Sequence, residues 1–409
     1  MKIYQVGGAV RDKLMGIPAH DTDYVVVGAT PQQMLENGYK QVGKDFPVFI
    51  NPQNQCEYAL ARKEIKTGPK HTDFKFIFSP DITLSEDLKR RDFTCNALAF
   101  DEEAGTIFDE HNGIEDIKNK ILRHVNTEHF VEDPLRVLRL CRFAAQLGFE
   151  IAPETLDLAK QMVNSGMLDY LTPERIWQEI FKALKTFRVD KFIETARACG
   201  ALKIILPEID HLFDTPERLD FHPEGNSGAH TLLCLKQAAN ETPLVKFAVL
   251  THDVGKALTP KETLPSHHKH DFNGLEVIRG LCQRLKVPNR FKDFALVACA
   301  NHMKLHLIRQ MRPGKVVDFV AVLTGNHQND IDNFIAVCRA DYFGRGREIN
   351  ADEKNEFENS AAYLRQAAQI LTPLKASDMP DFDTLPKDNL LKEKFKNFKI
   401  QKLISELIH

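Results

Sequence analysis

Two groups of residues in this 409-residue chain have the types and spacing needed for chemistry on phosphates. The first centres on Asp21-Thr22-Asp23, which opens the apolar stretch Tyr24-Val25-Val26-Val27. Strand side chains alternate faces, so residues two apart point the same way. Two neighbouring carboxylates repel unless a cation lies between them, and hard oxygen donors suit Mg2+. Metals held in pairs serve in-line displacement at phosphorus. An acidic pair of this kind also occurs in polar turns entering strands, so its surroundings matter. Upstream stands Gly7-Gly8-Ala9-Val10-Arg11-Asp12. Two glycines let backbone N–H groups approach an anion, the start of a helix adds a positive dipole end, and Arg11 supplies a forked donor. The plain alternative is a tight strand–turn–helix connection with a surface arginine. Together with Asp21 and Asp23, within seventeen residues, it is the arrangement that a nucleoside triphosphate with Mg2+ requires.

Two basic segments fit the same chemistry. Lys89-Arg90-Arg91 precedes Asp92-Phe93-Thr94-Cys95-Asn96-Ala97 and reads either as a solvated charge run or as a site for a triphosphate or RNA backbone. In Glu132-Asp133-Pro134-Leu135-Arg136, Asp133 suits a helix cap and Pro134 a first turn. Arg136, Arg139 and Arg142 then recur every three residues, which predicts one basic stripe on a charge-laced surface helix. A sharper reading has an Asp–Arg pair presenting hydrogen-bonding edges to a base.

The second group is histidine-rich: eight of the sixteen histidines lie between positions 222 and 306. His230 is followed by His252-Asp253 after the apolar Phe247-Ala248-Val249-Leu250, then by His267, His268 and His270, then by His302, His306 and Asp341. Imidazole and carboxylate donors together suit Mn, Ni, Fe, Co or Zn.

The motifs GGAVRD, DTD, RRDFTCNAL, EDPLRVLRLCRFAAQLGF and LTPERIWQE stand in this order over about residues 1–210. In them the chain resembles the bacterial tRNA nucleotidyltransferases, the CCA-adding enzymes, of the second class within the polymerase-beta-like superfamily. The resemblance implies an α+β fold: a nucleotidyltransferase head with a small mixed or antiparallel sheet, then an all-α neck and body. It implies that Asp21 and Asp23 hold catalytic Mg2+, and that Gly8, Arg11, Arg91, Arg136 and Arg139 contact CTP or ATP. Asp133 and Arg136 would act as an amino-acid template for the base. Glu57 is a weaker third acidic group, more simply read as solvent-facing. The His-Asp pair resembles the all-α HD phosphohydrolase domain. That likeness carries His230, His252, Asp253 and, less firmly, Asp341 into metal-ligand roles, with His270 and His302 secondary and Ni2+ the expected metal. It implies phosphatase, 2′-nucleotidase and 2′,3′-cyclic phosphodiesterase activities. The implied partner is tRNA, met at its acceptor and T-stem region, with the chain a monomer or homodimer. The rivals are a poly(A) polymerase and an HD phosphohydrolase with a regulatory nucleotide-binding head.

Elements must position these groups. Strands are expected at 2–6, 21–27, 46–50, 57–61 and 74–78, with a short helix at 9–15 ending at Gly16. Helices are expected at 114–122, 134–148, 153–165, 173–187, 191–200 and 357–371, with a further helical region from 230 to about 341. The stretch 206–228 reads as a linker, 373–386 as loop, and 387–408 as a Lys-rich amphipathic helix that either meets RNA or is merely a solvated helix or dimer contact. The expected domains are a head at 1–124, a neck and body at 125–215, the histidine domain at 222–345 and a tail at 346–409. Net charge is −3, which excludes a uniformly basic nucleic-acid binder. The eight cysteines form no C-x-x-C pair, and neither a signal peptide nor an apolar run of membrane-spanning length is present, so a cytoplasmic location with reduced thiols is expected.

Overall fold

The computed structural model describes all residues except 19–21, 43–47, 67, 69–73, 326–329, 385–388 and 409. Asp21 therefore lies outside the described residues. The chain divides into two compact units, one of Met1–Ala183 with Lys191–Ile205, the other of Leu184–Asp190 with Leu206–His409.

The first unit is built on a seven-stranded mixed sheet. Its strands are β1 (Lys2–Val6), β2 (Asp23–Val27), β3 (Lys40–Val42), β4 (Val48–Ile50) and β5 (Glu57–Leu60), then, beyond the separate β6 (Arg62–Lys66) and β7 (Phe74–Phe78) hairpin, β8 (Ala99–Asp101) and β9 (Thr106–Phe108). The order is β3-β4-β5-β2-β1-β8-β9, with β2 and β5 parallel and the other neighbours antiparallel. Both faces are covered, so β2 reads as an apolar run rather than a strict alternation. Val6, Val25 and Ala99 meet Leu88 of the helix Leu84–Lys89 on one face, while Val26, Phe49 and Tyr58 meet Met34 of the helix Pro31–Glu36 on the other. Tyr24 and Tyr58 stack with centroids 4.5 Å apart across the parallel pair, which fixes its register. The β1–β2 connection contains the helix Gly8–Leu14, ended by Gly16 at φ 69°.

The arginine-rich segment forms the helix Leu135–Leu147, which is buried almost all round. Arg136 and Arg142 are buried with it, which corrects the expectation of a solvated basic face. The expected helix over 114–122 ends at Asn119, because Lys120 turns left-handed and Ile121–Leu122 pairs with Glu150–Ile151 as a parallel two-stranded ladder.

The second unit is helical. Ser227–Gln237 and Pro243–Thr251 both pack on Ile331–Phe343, and His270–Arg284 packs on Asn289–Asn301. The stretch read as a linker is structured: it holds the helix Pro207–Asp210, the turn His211–Asp214 and a bridge between Pro216 and Asn226. The Lys-rich helix Asn389–Leu403 packs on Pro313–Leu323 and Ala351–Leu371, buries Leu403 and pairs Lys396 with Asp318 at 2.8 Å. One face of it is therefore a core face. Among the described residues, no helix is long and apolar enough to cross a membrane.

Candidate nucleotide site and candidate metal centre

In the first unit, antiparallel pairing sets Val6 opposite Asp23, and parallel pairing sets Asp23 opposite Glu57. The two carboxylates sit side by side on one face at the same strand end, both exposed. They line a cavity of about 740 Å³ that also takes in Gly8, Arg11, Arg91, Asp133, Arg136 and Arg139. Every residue singled out in the sequence for the nucleotide, apart from the undescribed Asp21, meets there. Gly7 has φ 72°, and a Cβ on it would come within 3.2 Å of Arg91 Nη1, so a glycine is needed where this guanidinium crosses the turn.

The floor of the cavity is a network of buried charge. Arg11 donates to Asn96 and Asp12. Arg90 and Arg91 share the fully buried Asp87. Arg139 Nε donates to Asp92 Oδ2 at 2.7 Å, and Arg142 Nε donates to Glu179 at 2.6 Å. Arg136 donates to the backbone carbonyls of His129 and Arg90. Asp133 caps the Leu135 N–H at 3.0 Å and lies 3.4 Å from Arg175. Phe143 forms an aromatic wall, with the guanidinium carbons of Arg11, Arg139 and Arg142 at 5.5, 5.3 and 3.9 Å from its centroid. Arg91 Nε and Arg175 Nη1 are buried donors without a hydrogen-bond partner. Such donors cost free energy unless an acceptor arrives, and a phosphate is the acceptor that a fork of guanidiniums fits best. Asp92, Asn96 and Arg175 were not singled out from sequence, although they stand within quoted motifs. Their partners are distant in the chain, and spacing does not reveal them.

Burial opposes ionisation of Asp92, but the charges of Arg139 and Arg136 hold its carboxyl down at about 2. Its folded value is below its unfolded one, so the stabilisation is complete above pH 4 and is lost as pH falls through 2. Asp92→Asn is thus expected to lower stability by about 2 kcal/mol at neutral pH. The deficit should shrink on acidification, read as thermal midpoints of variant and parent across that window.

In the second unit, the histidines converge. Each of three rings gives its Nδ1 proton to a carbonyl: His252 to Val249 at 2.7 Å, His270 to His267 at 2.8 Å and His302 to Cys299 at 2.9 Å. A carbonyl only accepts, so in the neutral ring each Nε2 carries a bare lone pair. His230 Nδ1 lies 2.9 Å from Glu224 and its Nε2 3.1 Å from Asp341 Oδ1. His252 Nε2 is 3.2 Å from Asp253 Oδ2 and 3.7 Å from Asp341 Oδ1, neither with hydrogen-bond geometry. Imidazoles oriented through Nδ1 with Nε2 converging on carboxylates are what a metal needs. The orphaned, buried His252 Nε2 and Asp253 Oδ1 match a cation at this centre. His230, Cys234, His252 and Asp341 lie close enough to share one ion. Burial disfavours charge on Asp253, yet His252, when its ring is protonated, and Lys256 hold it well below the usual carboxylate range. Lys256 Nζ bridges Asp253 Oδ2 at 2.8 Å and Glu217 at 2.7 Å. Glu217 and Glu224 come from the stretch taken for a linker. Ligand-orienting residues on loops follow no periodicity, so sequence reasoning missed them.

Gly255 explains how this centre closes. A Cβ there would overlap the His270 carbonyl oxygen and reach within 2.5 Å of Gly274 N. Only glycine lets the His270–Arg284 helix dock on the His252-Asp253 turn. Gly255→Ala is expected to cost at least 1–3 kcal/mol, roughly, and to weaken metal retention, read by thermal unfolding with and without added metal.

Family profiles match the chain in three places: the Poly A polymerase head domain at residues 3–123, the probable RNA and SrmB-binding site of polymerase A at 148–213, and the HD domain at 229–346. The chain is 47% identical to the multifunctional CCA protein of Acinetobacter baumannii over 93% of its length and 92% of that protein's. It is 49% identical to that of Vibrio vulnificus over 84% of its length and 86% of that protein's. In three dimensions it resembles the CCA-adding enzyme of Bacillus stearothermophilus in complex with CTP, with TM-score 0.65 and 23% identity, covering 98% of this chain and 88% of the other. The fold is that of a polymerase-beta-like head followed by helical domains, the HD domain among them. The chain belongs to the family of multifunctional CCA proteins.

Proposed function

We propose that this chain adds the CCA sequence to tRNA 3′ ends without a nucleic-acid template, using CTP and ATP and releasing pyrophosphate. Its HD centre would hydrolyse phosphate esters during 3′-end repair. The single observation that carries the first part is the cavity in which Asp23 faces Arg11, Arg91, Arg136 and Arg139. In this reading Asp21 and Asp23 hold Mg2+, which when bound acidifies the RNA 3′ hydroxyl and offsets charge on the leaving pyrophosphate. Arg11 and Arg91 bind the triphosphate, Arg91 through a buried Nε donor that is otherwise unmatched. Asp133 and Arg136 turn toward the base edge, and Arg139, fixed by Asp92, holds the nucleotide against Phe143. The 3′ hydroxyl then attacks the α-phosphorus in line with pyrophosphate. RNA contact runs through phosphates at the acceptor and T-stem helix, so binding weakens steeply with salt.

The HD centre, with His230, His252, Asp253 and Asp341, would hold a transition metal, nickel by family likeness, which polarises a phosphate ester and acidifies water when bound. Glu224 orients His230, and Lys256 keeps Asp253 ionised. The activities are those of a phosphatase, 2′-nucleotidase and 2′,3′-cyclic phosphodiesterase. The work divides as head 1–124, base- and RNA-binding helices 125–215, HD domain 222–345 and tail 346–409, in a cytoplasmic monomer or homodimer. With a tRNA lacking its last three nucleotides, pyrophosphate release is expected from CTP and, once two C residues are present, from ATP. Equal release from UTP or GTP would contradict selection by Asp133 and Arg136. Phosphate release from cyclic-ended RNA in the presence of Ni2+, abolished by a chelator, tests the HD reading.

A further inference from the structure

We infer that the guanidinium of Arg345 binds the phosphoryl group of the RNA end presented to the HD centre. This rests on the reading of that centre as a phosphohydrolase site, and adds the residue that grips its anionic substrate.

The ammonium at the centre, Lys256, is already spent between Asp253 and Glu217, so it is not open to a phosphate. Arg345 stands four residues after Asp341, just past the end of the helix Ile331–Phe343. The glycines on either side press it onto the groups that hold His230. A Cβ on Gly344 would come within 2.7 Å of Cys234 Sγ and 2.6 Å of the Ala340 carbonyl oxygen, so only glycine fits there. Cys234 lies one helical turn after His230, with its Sγ 3.3 Å from His230 Nε2. On the other side, Gly346 N donates to Glu224 Oε2 at 3.0 Å. Oε1 of the same carboxylate lies 2.9 Å from His230 Nδ1 and 3.0 Å from His222 Nδ1. The loop is therefore tied, on both sides of Arg345, to residues in contact with His230. The arginines before and after it are matched: Arg339 Nη2 donates to Glu358 at 2.9 Å, and Arg347 Nη2 to Glu353 at 2.6 Å. Arg345 has neither a hydrogen bond nor an ion pair among the described residues, and its Nε is buried without an acceptor. Its guanidinium carbon lies 4.9 Å from the centroid of Tyr342, a ring itself packed by Phe357 at 5.4 Å and His306 at 4.9 Å. Stacking of this kind orients the plane and spends none of its donors. A half-buried cation, oriented but unmatched, lacks an anion. Two oxygens of one phosphoryl group complement its fork, and the adjoining metal centre is where such a group is brought.

The test uses inorganic phosphate as a competitive inhibitor of cyclic-ended RNA hydrolysis by the full-length, Ni2+-loaded chain, read on end-labelled RNA. In Arg345→Gln, the inhibition constant of phosphate and the KM of the RNA are both expected to rise about tenfold or more. Bound metal per chain, read by elemental analysis, should stay at the parental value. Free guanidinium added to Arg345→Ala should restore inhibition by phosphate, which a merely structural role would not allow. Should the glutamine variant fail to fold, Arg345→Met keeps the contact with Tyr342 and is read in the same way. A parental inhibition constant, even with a raised KM for RNA, would overturn the proposal and leave the HD reading standing. A fall in bound metal in the variants would overturn it too, making Arg345 a support of the centre. A metal-loaded parent that neither hydrolyses the RNA nor responds to phosphate would overturn both readings.

Discussion

Asp23→Asn is expected to remove nucleotide addition almost completely while leaving phosphate-ester hydrolysis at its parental rate. Asp23 is the described carboxylate at the mouth of the cavity, with Glu57 as its neighbour across the parallel pair. A metal clamp on a phosphoryl transfer supplies several kcal/mol, and each ~1.4 kcal/mol is tenfold, so the loss should be about a thousandfold or more. Asparagine keeps the shape but not the charge, and the residue is exposed, so the fold should hold. The companion change Glu57→Gln separates two roles for its carboxylate. A loss close to that of Asp23→Asn makes Glu57 a partner in the metal site, and an unchanged rate makes it the solvent-facing residue expected from sequence. Both are read as initial rates of labelled CMP incorporation, beside phosphate release from cyclic-ended RNA.

His252→Ala with Asp253→Ala should do the converse, eliminating phosphate-ester hydrolysis while CCA addition continues. The two changes delete the donors on which the centre converges, and they lie in the compact unit that does not hold the nucleotide cavity. Removing Asp253 also leaves the buried Lys256 ammonium with only Glu217. Breaking a buried ion pair costs about 3–5 kcal/mol, so His252→Ala alone, with the pair intact, is the control for folding. Loss of both activities in a folded His252→Ala chain would mean that the two sites do not work independently.

Much of this arrangement was legible in the sequence where local rules and function coincide. The strands Lys2–Val6 and Phe74–Phe78 and the Gly7-Gly8 turn carry their own signals. So do the proline-opened helices Pro153–Asn164 and Pro173–Leu184. The order of the head motifs then led to the family. What escaped depends on contacts distant in sequence. The arginine stripe read as a solvated face because its partners, Asp92 and Glu179, lie 47 and 37 residues away. The helix expected at 357 begins at Ala351, because the Asn350–Glu353 capping box stabilises a first turn too polar to show periodicity. The buried role of Glu224 was hidden for another reason: a carboxylate on a Pro- and Gly-rich stretch has no spacing to betray it. Asp341 was marked from sequence on slender grounds, and the structure places it 3.1 Å from His230, 111 residues away.

The most direct test of the central claim is the length of the product. The purified chain would meet a tRNA transcript lacking its 3′ CCA, with Mg2+ and CTP, ATP or both, on a denaturing gel at single-nucleotide resolution. Growth by three nucleotides only when both are present, followed by a stop, is the result expected of a cavity that reads the base with protein side chains. An ATP-only ladder without a stop would contradict it and make the chain a poly(A) polymerase. No extension under any condition would leave the histidine centre as its working part and the head as a nucleotide sensor.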